Sequence, residues 1–373
     1  MGVRLVRPVL PPWEELAPHL EKIHATGLLT RGPYNEMLEA EAASHMGEGT
    51  HVVAVSSCTS GLMLVLKALE IRGEVLMPSF TWTASGLAAL WNGCEPMYAD
   101  VTPGRYTLNP DATRAAITKS TGAVMAVNAY GLYPDMDALA QVCREAGVPL
   151  VSDSAQGIGA ICQGRPAGSV APVEVFSMSP SKVVTAAEGG LIATADGDLA
   201  AKLRRMRDYG KSADGQDVTA VGLSARLSEF HAAIAWLNMK RVEELRDERF
   251  ALAARYREHL ADLPGVAFQD VPEGDKPSGN YMMLFIGPEA RADRAGVVEY
   301  LKGRDVDSRP YFYPALHRQA IFADRPGARA ASLPVTEAAE AQGLALPFYN
   351  GMTDAEQDEV IDALRGSLAP PGA

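Results

Sequence analysis

Between residues 51 and 196 the chain alternates short apolar runs with amphipathic stretches, and this restricts its fold more than any other feature. The runs HVVAVSS (51–57), EVLMPSF (74–80), EPMYADV (95–101), GAVMAVNAYG (122–131), VPLVSDS (148–154), VEVFSMS (173–179) and GGLIATAD (189–196) read as strands. Between the earlier ones lie GLMLVLKALEIRG (61–73), TASGLAALWNG (83–93) and MDALAQVCREAG (136–147), which carry helical spacing and end on glycine. Apolar strands separated by helices predict an α/β fold with a mostly parallel sheet covered on both faces.

The rest of the chain has a different rhythm. Residues 11–47 are helical and polar, interrupted by a Gly-Pro loop at 28–36. Residues 226–260 read as one very long helix. Beyond it come two short apolar runs (265–270 and 280–288), a helix at 295–305 and a final helix at 352–368. The expected division is a large domain over 1–240 and a smaller α+β domain over 241–373, with an unstructured tail APPGA at 369–373.

Charge and cysteine content narrow the function classes. A net charge of −12 lacks the basic stripe that nucleic-acid binding needs. Cys58, Cys94, Cys143 and Cys162 form no CxxC pair and have no histidine at zinc spacing, so neither a metal site nor a disulfide framework is expected. The N-terminal residues carry no signal-peptide core, and no apolar run reaches the ~18 residues of a membrane span. A cytoplasmic protein without membrane contact is the expectation.

Four local patterns carry chemistry. SSCTSG (56–61) is a strand end running into a helix N-terminus, where free N–H groups and the hydroxyls of Ser57, Thr59 and Ser60 suit a phosphate. Ordinary helix capping explains the same residues when they are taken alone. Trp82 follows the next strand and suits either a stacking role or the core. Asp153 ends an apolar strand, where an open α/β sheet places its ligands and where a buried carboxylate needs a partner. Lys182 lies 29 residues after Asp153, one strand further on, with Ser177 and Ser181 beside it. A phosphate cradle, a stacking ring, a buried acid and a lysine together match pyridoxal phosphate: an amine to bind its aldehyde, an acid to keep its ring nitrogen protonated.

In this order the motifs resemble the DegT/DnrJ/EryC1/StrS sugar aminotransferases, fold-type I pyridoxal-phosphate enzymes, over nearly the whole chain. The matching segments include LLTRGP (28–33), SSCTSGL (56–62), PSFTWTAS (78–85), VSDSAQGIGA (151–160), FSMSPSK (176–182), EGG (188–190), GLSARLSE (222–229) and RPYFYPALH (309–317). The resemblance implies that Lys182 is the imine-forming lysine and proton shuttle and that Asp153 pairs with the pyridine nitrogen. It places Gln156 beside the ring oxygen, Trp82 on the ring, and Thr59, Ser60 and Ser177 at the phosphate. It puts Glu188, Tyr209, Tyr313 and His317 near the substrate. It further implies a homodimer with a shared active site, in which the segment around Ser224 reaches the neighbour's cofactor.

The implied reaction takes an amino group from L-glutamate or another amino acid, by way of pyridoxamine phosphate, to a keto-sugar, usually a nucleotide-linked sugar aminated at C3 or C4. Ser224 stands where the family usually has asparagine, Asn128 and Tyr209 where histidine is common. These departures leave a keto-cyclitol or other free ketone open as the acceptor. A non-catalytic member of the same fold would lack Lys182 or Asp153, and both are present.

Overall fold

A computed structural model describes residues 2–212 and 214–368. The tail at 369–373, expected to be unstructured, lies outside the described residues.

The alternating segment forms a seven-stranded sheet: β1 (His51–Val55), β2 (Glu74–Pro78), β3 (Glu95–Ala99), β4 (Thr121–Val127), β5 (Leu150–Asp153), β6 (Val173–Ser177) and β7 (Gly190–Thr194). Their spatial order is β1-β7-β6-β5-β4-β2-β3. Pairings among β2 to β6 are parallel, and β7 runs antiparallel to both its neighbours. The sheet is therefore mixed but mostly parallel, as the strand–helix alternation predicts.

Both faces are covered, and the pleat decides which core each side chain joins. Val52, Ala54, Val124 and Ala126 enter one apolar cluster. Their chain neighbours Val53, Val55, Ala123 and Met125 enter a second cluster on the other face. A strand buried on both sides cannot alternate apolar with polar, which is why these strands read as continuous apolar runs.

Helix α1 (Pro33–His45) begins after the Gly-Pro loop with its first N–H groups turned inward. The buried carboxylate of Glu229 accepts from the N–H of Gly32 (3.0 Å), Tyr34 (2.9 Å) and Asn35 (3.2 Å), capping the helix from 194 to 197 positions away. A Cβ on Gly32 would sit 2.6 Å from that carboxylate, so any larger residue there would push the capping side chain aside.

The stretch at 226–260 is not one helix. It divides into α2 (Glu229–Met239) and α3 (Val242–Leu260), with a break at Lys240 and Arg241. Helix α2 is buried around most of its girth and is tied down near its end by Asn238, whose amide donates to the carbonyls of Val9 (3.0 Å) and Thr185 (3.1 Å). Helix α3 starts in the same core through Val242 and continues into another, where Leu252, Tyr256 and Leu260 pack against the second sheet. No glycine or proline marks the break, so helical periodicity passes over it.

That second sheet is antiparallel: β8 (Val266–Ala267), β9 (Met282–Ile286), β10 (Arg309–Pro310) and β11 (Gly343–Leu346), in the order β8-β9-β11-β10. The first residues of the chain join this region: Val3 bridges to Val306, and Phe348 N–H donates to the Leu5 carbonyl at 3.1 Å. Among the described residues no helix is long and apolar enough to cross a membrane.

Candidate active site

The carboxyl ends of the parallel strands open on a cavity of about 380 Å³. Strand β5 delivers Asp153 to it, β6 delivers Ser177, and the loop after β6 delivers Ser179, Ser181 and Lys182. The helix Cys58–Ala68 presents its N-terminus through Ser57, Cys58 and Thr59. Trp82, Gln156 and Glu188 complete the sequence-expected residues at the cavity, and Tyr281, Arg309 and Tyr311 reach it from the second sheet.

Asp153 is only 3% exposed. Its Oδ2 accepts from the Ser85 hydroxyl at 2.6 Å. Its Oδ1 accepts from the Ala155 N–H at 3.2 Å and, weakly, from the Cys58 thiol at 3.8 Å. Burial raises its pKa above the usual carboxylate range; those hydrogen bonds and the positive charge of Lys182 oppose the rise without cancelling it. The Cys58 thiol is pushed up strongly, first by burial and then by Asp153. No arginine or lysine forms an ion pair with Asp153 among the described residues, so a cationic donor entering the cavity would find an oxygen able to accept.

Lys182 projects from a turn whose N–H donates to the Ser179 carbonyl at 3.0 Å. Its Nζ lies 5.7 Å from the centroid of the Tyr281 ring. Tyr281 donates to the Ser181 hydroxyl at 3.2 Å and stands 3.4 Å from the Tyr311 hydroxyl. Burial drives the Tyr281 phenol upward, but the Lys182 charge, the bonds to Ser181 and Tyr311 and the Arg309 charge together outweigh it and lower its pKa. Gln156 faces the cavity with its side-chain carbonyl accepting from the Tyr130 N–H at 2.6 Å. Trp82 remains 47% exposed and stacks on Tyr311, with centroids 5.8 Å apart and planes within 17°.

The serines divide their labour. Ser57 caps the helix by accepting from the Ser60 N–H at 3.1 Å, and the Ser60 hydroxyl accepts from the Ser57 N–H at 3.2 Å and donates to the Ser57 carbonyl at 2.8 Å. Ser60 is thus consumed by a capping box and does not line the cavity. Thr59 and Ser177 do line it.

Four other expected residues lie elsewhere in this chain. Tyr209 and Ser224 form an exposed corner outside the cavity, where the Arg226 guanidinium sits 5.2 Å over the Tyr209 ring and donates to the Ser224 hydroxyl at 3.2 Å. Tyr313 is 58% exposed under the Arg294 guanidinium at 4.5 Å. His317 is tied to Ser79 through Nδ1 at 2.7 Å, and burial, reinforced by Arg318, lowers its pKa.

Sequence reasoning missed Ser85, Tyr281, Arg309 and Tyr311. Ser85 sits in PSFTWTASG, a motif read only for its tryptophan. Arg309 and Tyr311 open RPYFYPALH, a segment from which the resemblance takes only Tyr313 and His317, and Tyr281 lies in no matched segment.

This donor set fits pyridoxal phosphate. A lysine amine, a buried acid with free accepting capacity, a helix N-terminus with two cavity-facing hydroxyls and an indole wall converge on one space. Fold and site define a fold-type I pyridoxal-phosphate enzyme.

The family model of the DegT/DnrJ/EryC1/StrS aminotransferases matches residues 13–365, and the chain belongs to that family. It is a pyridoxal-phosphate-dependent aminotransferase. Among solved structures it is similar to DesI, determined in the presence of its TDP-sugar product: 34% identity, 98% of this chain and 94% of that one, TM-score 0.92. DesV of S. venezuelae is 31% identical over 96% of this chain and 98% of that one, with a TM-score of 0.88. The aminotransferase TlmJ from Streptoalloteichus hindustanus is 27% identical over 98% of both chains, with a TM-score of 0.89.

Proposed function

We propose that this aminotransferase moves an amino group from L-glutamate to a nucleotide-linked 3- or 4-keto-deoxysugar, in natural-product or surface-polysaccharide biosynthesis. The observation that carries the proposal is the convergence of Lys182 and Asp153 on one cavity walled by Trp82. The likeness to DesI, a structure with a TDP-sugar product, supports a nucleotide sugar as the acceptor.

Pyridoxal phosphate, when bound, supplies an aldehyde that takes up the amine and a ring that draws electrons from the reacting carbon. The protein supplies the rest. The Lys182 amine would be the base that takes the proton from the donor's α-carbon, and the acid that returns it when the direction of the reaction reverses. Asp153 would face the pyridine nitrogen and keep it protonated, and the Ser85 hydroxyl orients that carboxylate. Thr59, Ser177 and the helix N-terminus hold the phosphate, with Ser60 keeping the turn in shape. Gln156 would border the ring oxygen, and Trp82 would form the wall against the ring.

The assembly is a homodimer in the cytoplasm. Support for the dimer comes from the exposed Tyr209–Ser224–Arg226 corner, which lies outside the cavity that holds Lys182, and from exposed Trp91, Val218 and Val221 nearby in sequence or space. In this reading Ser224 donates to the phosphate in the neighbour, and Tyr209, Glu188, Tyr313 and His317 border the substrate of one subunit or the other.

The decisive experiment is the visible absorption of the cofactor-loaded protein before and after L-glutamate. A yellow band that glutamate bleaches is expected; Lys182→Ala should lose both the band shift and turnover while its melting temperature stays unchanged. If that variant still aminates the acceptor, Lys182 has been assigned wrongly. Protection from thermal unfolding by dTDP, UDP or GDP would identify the nucleotide. No protection by any of them would favour the free-ketone acceptor.

A further inference from the structure

Lys182 and Asp153 account for two of the charges facing the cavity, and Arg309 is a third. Strand β10 places it on the rim, and its guanidinium carbon lies 5.8 Å from the Trp82 ring centroid and 5.6 Å from that of Tyr311. Those two rings are the stacked pair that walls the site. Aromatic faces steady the cation but leave the N–H donors of its fork unspent.

Other arginines of this region are differently placed. Arg318 pairs with Glu337 at 3.0 Å and Glu340 at 3.1 Å, and Arg325 with Glu95 at 2.9 Å. No carboxylate pairs with Arg309 among the described residues, in a chain whose net charge is −12. Exposure alone would make an unpaired arginine ordinary. Its position does not: Arg309, Tyr311, Tyr281 and Lys182 follow one another along a single wall, through the 5.6 Å, 3.4 Å and 5.7 Å contacts.

We propose that Arg309 receives the oxyanion that a substrate carries into this cavity, a carboxylate or a phosphate, as a two-pronged pair. The proposal rests on the transamination reading, in which each substrate brings such a group. The amino-acid donor brings its carboxylate and a nucleotide-linked sugar its diphosphate. Both match the planar fork of arginine, which lysine does not reproduce. Anchoring on the wall that carries Lys182 fixes the substrate relative to the amine that must move its proton.

The test uses cofactor-loaded wild type, Arg309→Gln and Arg309→Lys, each titrated calorimetrically with glutarate, which has no amine to react, and with dTDP. Arg309→Gln should weaken one of the two by about 10- to 100-fold, the range of a lost charge-assisted bond, and Arg309→Lys should recover only part. Loss confined to glutarate identifies the donor carboxylate as the anion, and loss confined to dTDP identifies the diphosphate. Equal binding of both probes by wild type and Arg309→Gln, or binding of neither by wild type, overturns the proposal. Glutamate bleaching of the visible band reports separately on transamination, so failure of that reading would be seen on its own.

Discussion

Two buried carboxylates lie on adjacent strands, and their surroundings differ in the one respect that separates structure from chemistry. Asp153 on β5 and Glu174 on β6 are a register step apart, since Ser152 faces Glu174 and Asp153 faces Val175. Glu174 is fully buried and completely engaged. Its Oε1 accepts from the N–H groups of Gly168 (3.0 Å), Val170 (2.8 Å) and Ala171 (3.2 Å); its Oε2 accepts from the hydroxyls of Tyr133 and Ser154. Asp153 has one strong donor, Ser85, one N–H and a weak thiol, and it opens on the cavity. Burial raises the pKa of both acids. The difference is what remains: Glu174 has no accepting capacity left for a ligand, whereas Asp153 has.

The largest effect should separate the two by activity. Asp153→Asn keeps shape and most local bonds but removes the charge that, in the proposed reading, holds a proton on the ring nitrogen. Turnover should fall by about 10²- to 10⁴-fold, the usual worth of a positioned acid–base group, with the melting temperature of the cofactor-free protein unchanged or raised. Steady-state kinetics beside a melting curve checks this. Undiminished turnover would remove Asp153 from the chemistry.

The next effect runs the other way. Glu174→Ala leaves three N–H groups and two hydroxyls without their acceptor in a dry interior. The loss in stability should be about 3–5 kcal/mol, as when one partner of a buried polar network is removed, measured by denaturant unfolding. Glu174→Gln should cost far less, because its carbonyl can keep the three N–H donors and the hydroxyls can rotate to accept from its amide. If Glu174→Ala instead lost activity at normal stability, the division between the two acids would be wrong.

The contrast also explains what the sequence could reveal. Asp153, Lys182, Thr59 and Ser177 were legible because strand ends and helix starts in an α/β sheet converge by topology, whatever the side chains do. The sequence offers Thr59 and Ser60 alike to a phosphate, but the capping box claims the Ser60 hydroxyl and leaves Thr59 at the cavity. Glu174 is hidden within the run VEVFSMS, because period alone does not say that an acid on a strand is fully hydrogen-bonded. Ser85 and Arg309 lie inside segments that match the family, yet nothing along those segments marks them for the site. Each acts through a tertiary contact: Ser85 lies 68 positions from Asp153, and Arg309 reaches the ring of Trp82, which follows a strand of the first sheet. The break between α2 and α3 belongs here as well, since Asn238 is fixed by carbonyls of distant segments.

The smallest effect is a pH dependence of stability. In the cofactor-free protein Asp153 titrates above its ordinary value of 3.8, with burial as the leading cause. A group whose folded-state pKa is raised binds its proton more tightly when folded. Its contribution is fully present below the unfolded value and is lost as pH rises through the folded one. Stability of the cofactor-free protein should therefore decline from about pH 4 upward through the folded pKa of Asp153. Glu174 contributes a decline of the same sign. Asp153→Asn should remove its share and leave the Glu174 share in place. Pyridoxal phosphate should also remove the Asp153 share, because a protonated ring nitrogen gives the ionised carboxylate the partner it lacks. Chemical unfolding across this range, with and without cofactor, makes the comparison. An unchanged slope on cofactor binding would mean that Asp153 does not meet the ring nitrogen, however well the cavity is shaped to hold it.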